Sequence, residues 1–162
     1  MRAPKLIAVG YDGSPDAEAA LRWAASLAVA LGAEVRAVHA VGLLEHAGMA
    51  QVAAHEQRAR EVATARGLDA IRFEWCVEDG DPDTVLQRAG TGPRPADLIV
   101  VGTRGAGAHP GVLLGSTSLG LAERPPVPVV VVPTRSEPEA GSPADGASAL
   151  TRRRAPGGSP PE

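Results

Sequence analysis

Apolar and polar positions alternate along the chain in two distinct rhythms. Leu6 to Gly10 and Ala96 to Val101 are compact apolar runs, the pattern of strands buried on both faces of a sheet. Glu34 to Val41 and Ile71 to Val77 read as two further strands. Between these runs the spacing becomes helical. Ser14-Pro15 offers an N-cap and a first-turn proline, and Leu21, Ala24, Ala25, Ala28 and Leu31 then mark one face until Gly32. Leu44 to Arg66, ending at Gly67, predicts a second helix. Asp81-Pro82 repeats the cap-plus-proline signal for a short third helix carrying Val85, Leu86 and Ala89, which Gly90 to Pro95 ends. A long loop from Gly102 to Gly115 leads to a fourth helix from Ser116 to about Arg124, stopped by Pro125-Pro126. Val127 to Val132 is the fifth strand. Pro128 within it cannot donate a ladder hydrogen bond, which places this strand at a sheet edge.

Strands alternating with helices imply a doubly wound α/β domain, an open parallel five-stranded sheet with helices on both faces. The two compact apolar runs suit central neighbours, so the expected strand order is 3-2-1-4-5. Ligands of such sheets bind beyond the carboxyl ends of the strands, where the order reverses. That reversal falls between strands one and four, so Gly10 to Gly13 and Gly102 to Gly105 become opposite lips of one crevice. Residues 1–133 form the expected single domain. Residues 134–162 are rich in Ser, Pro, Gly and charge without apolar periodicity and read as a disordered tail, with Arg152-Arg153-Arg154 as a solvated run.

Composition narrows the classes of function. The chain has 162 residues, 44% of them apolar, enough for one sizeable core. A formal charge of −3 carries no basic excess of the kind that tracks nucleic acid. Tyr11, Trp23, Phe73 and Trp75 are too few and too scattered in the chain for a base-stacking platform, so nucleic acid is not expected as a partner. Neither a signal-peptide pattern nor a bilayer-length apolar stretch is present, so no membrane association is expected. The lone cysteine, Cys76, reads as a packed strand thiol and fits a reducing, cytoplasmic setting.

The loop after strand four carries the candidate chemistry. Gly102, Gly105, Gly107, Gly111 and Gly115 keep its backbone open, as close approach to polyphosphate requires. Gly115-Ser116 then begins a helix whose free amides and positive dipole end suit an anion, with the hydroxyls of Ser116, Thr117 and Ser118 nearby. The only lysine is Lys5, and no Gly-Lys-Ser/Thr sequence exists, so this is not a Walker loop. Tyr11-Asp12-Gly13-Ser14-Pro15 lacks the glycine spacing of a dinucleotide fingerprint. Neither a Ser-Gly-Gly-x-Asp-Ser pyrophosphatase loop nor a His-x-Gly-His adenylyltransferase signature is present.

Gly102, two residues, Gly105, nine residues and Gly115-Ser116 resembles the glycine loop of the universal stress protein family, in its ATP-binding branch. The resemblance extends to Val9-Gly10-Tyr11-Asp12-Gly13-Ser14, Gly80-Asp81-Pro82, the strand from Ala96 to Val101 and the stretch from Pro126 to Val132. It implies a fold like that of the adenine nucleotide alpha hydrolases, with ATP lying across strands one and four. Gly10, Tyr11 and Asp12 would then face the nucleoside and Val41 the adenine. Val101, Gly102, Arg104, Gly105, Gly115, Ser116, Thr117 and Ser118 would face the phosphates. Competing readings are an Asx-turn for Asp12, a core position for Val41 and a solvent-facing side chain for Arg104. His109 reads as a solvated loop residue rather than a base, and His39, His46 and His55 show no metal-ligand spacing. A Mg2+ or Mn2+ ion would arrive with ATP, held through the phosphates.

The expectation is therefore a nucleotide-dependent regulatory, stress-response protein acting on protein partners that the sequence does not identify. A slow ATPase or phosphotransferase is the alternative, without a positioned lysine or base to support fast turnover. A dimeric scaffold without nucleotide is the third reading, against which the intact glycine loop counts. The resemblance also implies a homodimer through the last strand, whose apolar edge calls for a cover.

Overall fold

The computed structural model describes residues 2–42, 48–70, 72–105 and 113–134. The expected start of the second helix at Leu44, His46, the expected start of the third strand at Ile71, the loop centre with Gly107, His109 and Gly111, and the tail beyond Thr134 lie outside the described residues. Strand β1 (Leu6–Gly10), helix α1 (Pro15–Leu31) and strand β2 (Glu34–Val41) are followed by α2 (Met49–Ala65), β3 (Phe73–Asp79) and α3 (Pro82–Thr91). Strand β4 (Leu98–Gly102), helix α4 (Ser116–Glu123) and strand β5 (Val129–Val132) complete the unit. The sheet is parallel, five-stranded and ordered β3-β2-β1-β4-β5, as the apolar runs imply.

Local chemistry explains the helix boundaries. Ser14 caps α1, its Oγ accepting from the Ala17 N–H at 3.2 Å, and Gly32 ends the helix in the left-handed region at φ +66°. Asp81 caps α3 through the Asp83 N–H at 2.9 Å. Helix α1 buries Ala17, Ala20, Leu21, Ala24, Ala25 and Ala28. Small side chains bring it close to the sheet. They share a core with Ile7, Val9, Val35, Phe73 and the α2 residues Ala59 and Val62. The opposite face packs Ala8, Val38, Ile99 and Val101 against Val85, Leu86 and Ala89 of α3 and Leu121 of α4. Glu18 ties α1 to α2 by accepting from Arg58 Nε at 2.7 Å.

Several boundaries differ from the sequence reading, each for a local reason. β3 continues past Val77 through Asp79, because β2 remains available to pair as far as Val41↔Asp79. α3 continues through Gly90 to Thr91. Gly90 is there a packing residue, since a Cβ would sit 2.8 Å from Pro126 Cγ. β4 starts at Leu98 rather than Ala96, the Ala96 N–H being turned back to the Ala89 carbonyl at 2.8 Å. Pro128 precedes β5 instead of interrupting it, and contributes only its carbonyl, which accepts from Ile99 N–H at 3.0 Å.

Truncating Ile99, fully buried at the sheet centre, should lower unfolding free energy by about 2–5 kcal/mol, whereas Ser14→Ala should cost about 1 kcal/mol. Urea unfolding of the two variants checks the ranking; equal losses would mean the cap and the core are misjudged.

Candidate functional site

At the carboxyl ends of β1 and β4 the chain leaves the sheet in opposite directions, and a cavity of about 870 Å³ opens there. Gly10, Tyr11 and Asp12 line it from the end of β1 and the turn after it, Val41 from β2, and Val101, Gly102, Arg104 and Gly105 from the end of β4 and the loop after it. Gly115, Ser116, Thr117 and Ser118 line it from the start of α4. Every site residue singled out in the sequence therefore borders one space, although they come from four separate stretches. Lys5 is not among them. It lies before β1, at the opposite end of the sheet, about 16 Å away for a five-residue strand.

The glycines have different jobs. A Cβ at Gly102 would lie 2.6 Å from the Asp16 carbonyl carbon, so this glycine exists to let α1 approach β4. A Cβ at Gly105 would come within 2.7 Å of Asp12 Oδ2, which sets the two lips of the crevice directly against each other. Gly115 has an ordinary φ of −68° and nothing nearer to a Cβ than Arg104 Cα at 3.4 Å. Its lack of a side chain leaves the cavity open. It also leaves α4 without a side-chain cap, and Ser116 and Thr117 of its first turn line the cavity.

Individual side chains refine the expected roles. Asp12 Oδ1 accepts from the Ser14 N–H at 3.0 Å, so the Asx-turn reading and a place on the cavity wall are both realised. Ser118 donates its hydroxyl proton to the Gly102 carbonyl at 2.7 Å; that proton fastens α4 to β4 and is committed there. Arg104 borders the cavity, yet its Nε also lies 3.6 Å from Asp16 Oδ2, so it is neither purely solvent-facing nor held by the cavity alone. Tyr11 turns its ring into the core, 2% exposed, and burial followed by the nearby Glu18 charge pushes its hydroxyl up to about 12.

Three residues not singled out for the site belong to it or support it. His39 and His55 both line the cavity, their rings 5.2 Å apart, with His39 stacked on Trp75 at 5.7 Å. His39 Nδ1 donates to the Tyr11 carbonyl at 2.8 Å. Burial, then the neighbouring His39, holds His55 below its ordinary 6.5, partly offset by Asp12. Tyr11 and Trp75, distant in sequence, meet edge-on at 5.9 Å in the same cluster. Asp16 is the third. Its buried carboxylate accepts from Thr103 Oγ1 at 2.6 Å, from the Arg104 N–H at 3.0 Å and from Thr134 Oγ1. Burial alone would push its carboxyl up, but the hydrogen bonds from Thr103, Thr134 and the Arg104 amide, with the Arg104 charge, hold it below its ordinary 3.8. An acidic residue in a first helical turn is so common that the sequence offered no separate signal for it. Cys76 is half-buried, and burial and Glu74 push its thiol up, as suits an unreactive strand residue.

With this geometry in view, comparisons with known proteins converge. The sequence model of the universal stress protein family matches residues 4–133. A universal stress protein of Thermus aquaticus is 36% identical over 135 residues, covering 79% of this chain and 98% of its own length. One from Mycobacterium tuberculosis is 35% identical over 138 residues, 77% of this chain but only 44% of the relative, so the chain spans under half of that protein. A solved universal stress protein in complex with cAMP superposes with a TM-score of 0.68 at 29% identity, covering 82% of this chain and 99% of the other.

The Asp16 cluster makes a pH-dependent demand. Because its folded-state affinity for a proton is depressed, its stabilisation is present above the unfolded value near 3.8 and is lost as pH falls through the folded one. Asp16→Asn should therefore lower stability by about 1–3 kcal/mol at pH 7, with the gap to wild type closing below about pH 4. Urea unfolding at pH 7, 5 and 3 measures this. A gap that stays constant would show that the charge of Asp16 is not what matters.

Proposed function

The chain belongs to the universal stress protein family, and from that premise we propose that it is an ATP-binding regulatory protein. Adenosine lies along the β1 and β2 ends beside Asp12 and Val41. The triphosphate rests on Gly102, Gly105 and the amide end of α4. The observation that supports this reading most is the convergence of the expected residues on one cavity at the strand-order reversal, beside an uncapped helix start. Its volume suits a nucleotide. The related structure in complex with cAMP supports an adenine nucleotide as the ligand class.

ATP is preferred within that class because the Gly102, Gly105, Gly115-Ser116 spacing resembles that of the family's ATP-binding branch. A Mg2+ or Mn2+ ion would be held through the phosphate oxygens, with the hydroxyls of Ser116 and Thr117 within the same wall. The reading is one of holding ATP rather than spending it: the one lysine stands at the far end of the sheet, and the buried His39 spends its Nδ1 proton on a backbone carbonyl. Regulation then consists of nucleotide occupancy altering a surface that partners read. The open edge of β5, which pairs only with β4 among the described residues, suits a homodimer formed with a second copy. The single cysteine suits the cytoplasm.

Titration calorimetry of the full chain should show binding of ATP in preference to GTP and NAD, and Gly115→Val should abolish it while the chain still folds, since a Cβ there makes only ordinary contact with Arg104 Cα at 3.4 Å and the branched methyls at this N-cap lower the thermal midpoint modestly. No binding of any adenine nucleotide would sink the proposal. Unchanged affinity in Gly115→Val would place the phosphates elsewhere.

A further inference from the structure

Three segments remote in sequence converge on one buried carboxylate. Asp16 lies in the first turn of α1, and its side chain is 9% exposed. Oδ2 takes the Thr103 hydroxyl and the Arg104 amide, the first two residues of the loop after β4. Oδ1 takes the hydroxyl of Thr134, two residues beyond β5. Thr103 then passes the constraint on, because its carbonyl accepts from the Gly115 N–H at 2.7 Å. A continuous chain of contacts therefore runs from Asp16 through Thr103 to the amide end of α4, while Ser118 to Gly102 closes the other side of the loop.

We propose that Asp16 is the positioning residue of the phosphate loop and that it couples the loop to the segment following β5. This rests on the nucleotide reading above and goes beyond it, since Asp16 is not one of the cavity-lining residues. A carboxylate beside an anion site would ordinarily repel the ligand. Here its charge is absorbed by two hydroxyls, a backbone amide and the Arg104 guanidinium, so it acts as an anchor. Any ligand that requires the loop in this geometry is linked reciprocally to the Thr134 contact: whatever holds Thr134 in place favours the ligand, and the ligand favours that placement.

The test uses the full chain and the variants Asp16→Ala, Asp16→Asn, Thr103→Val and Thr134→Val, each read by amide hydrogen exchange without nucleotide and by titration with ATP and with adenosine. Asp16→Ala and Thr103→Val should speed exchange at the Arg104 and Gly115 amides and weaken ATP by about tenfold or more, with adenosine changed less than about threefold. Asp16→Asn, whose amide oxygen can still accept from the Arg104 N–H, should recover part of both effects. Thr134→Val should move both in the same direction by a smaller factor, since its hydroxyl bonds Asp16 and not the loop backbone. Wild-type exchange at Arg104 and Gly115 in Asp16→Ala, or equal losses for ATP and adenosine, would overturn the positioning role. Wild-type behaviour of Thr134→Val would overturn the coupling. Failure of the wild-type protein to bind ATP would instead defeat the nucleotide reading, and the exchange measurements alone would decide the role of Asp16.

Discussion

The parallel pairing of β1 with β4 is the constraint from which the rest of the molecule follows. Ile7, Ala8 and Val9 lie beside Leu98, Ile99 and Val100, strands separated by most of the chain. Asp97 secures the entry to this pair, its Oδ2 accepting from the Lys5 N–H at 2.8 Å and the Leu6 N–H at 3.1 Å, and those bonds hold its carboxyl below the ordinary range. Once the two strands run side by side, α1 must leave toward one face and the path to α4 toward the other. The crevice is the gap between those departures. Its position is a property of the topology, and its chemistry comes from the few residues placed immediately after each strand.

What those residues accomplish depends on close approach. Gly102 admits α1, Gly105 admits Asp12, and Asp16 gathers the loop entrance and Thr134 at a single carboxylate. Anions are commonly met by a lysine or arginine, but in the proposed site the far placement of Lys5 and the Asp16 contact of Arg104 leave backbone amides and hydroxyls as the main donors among the described residues. Such donors are fixed in direction by the helix and sheet that carry them. Their geometry is therefore only as good as the contacts that hold the loop ends, which gives Ser118 and Asp16 their importance.

Much of this was legible in the sequence because strong local signals agreed with the global fold. Ser14-Pro15 and Asp81-Pro82 start helices where their cap chemistry requires, and the apolar runs around Ile7 and Ile99 identify the two central strands. Boundaries slipped where tertiary contacts decide, as at Gly90 against Pro126 and at Asp79 beside Val41. Within the site, glycines and hydroxyls could be placed from spacing. The use of each could not: the Ser118 proton goes to a backbone carbonyl, and Arg104 shares its charge with a residue on another element. His39, His55 and Asp16 escaped because their meaning arises only from neighbours brought in by the fold. A histidine on a strand and an aspartate in a first helical turn are individually unremarkable.

In the proposed function the loop after β4 and the β1 lip form one nucleotide site. The most direct measurement is an amide-resolved magnetic resonance titration of the full chain with ATP. The largest shifts should fall together on Asp12, Gly105, Ser116 and Thr117, saturating with one common affinity. Shifts confined to α2, or none at all, would mean that no nucleotide binds in the crevice between β1 and β4.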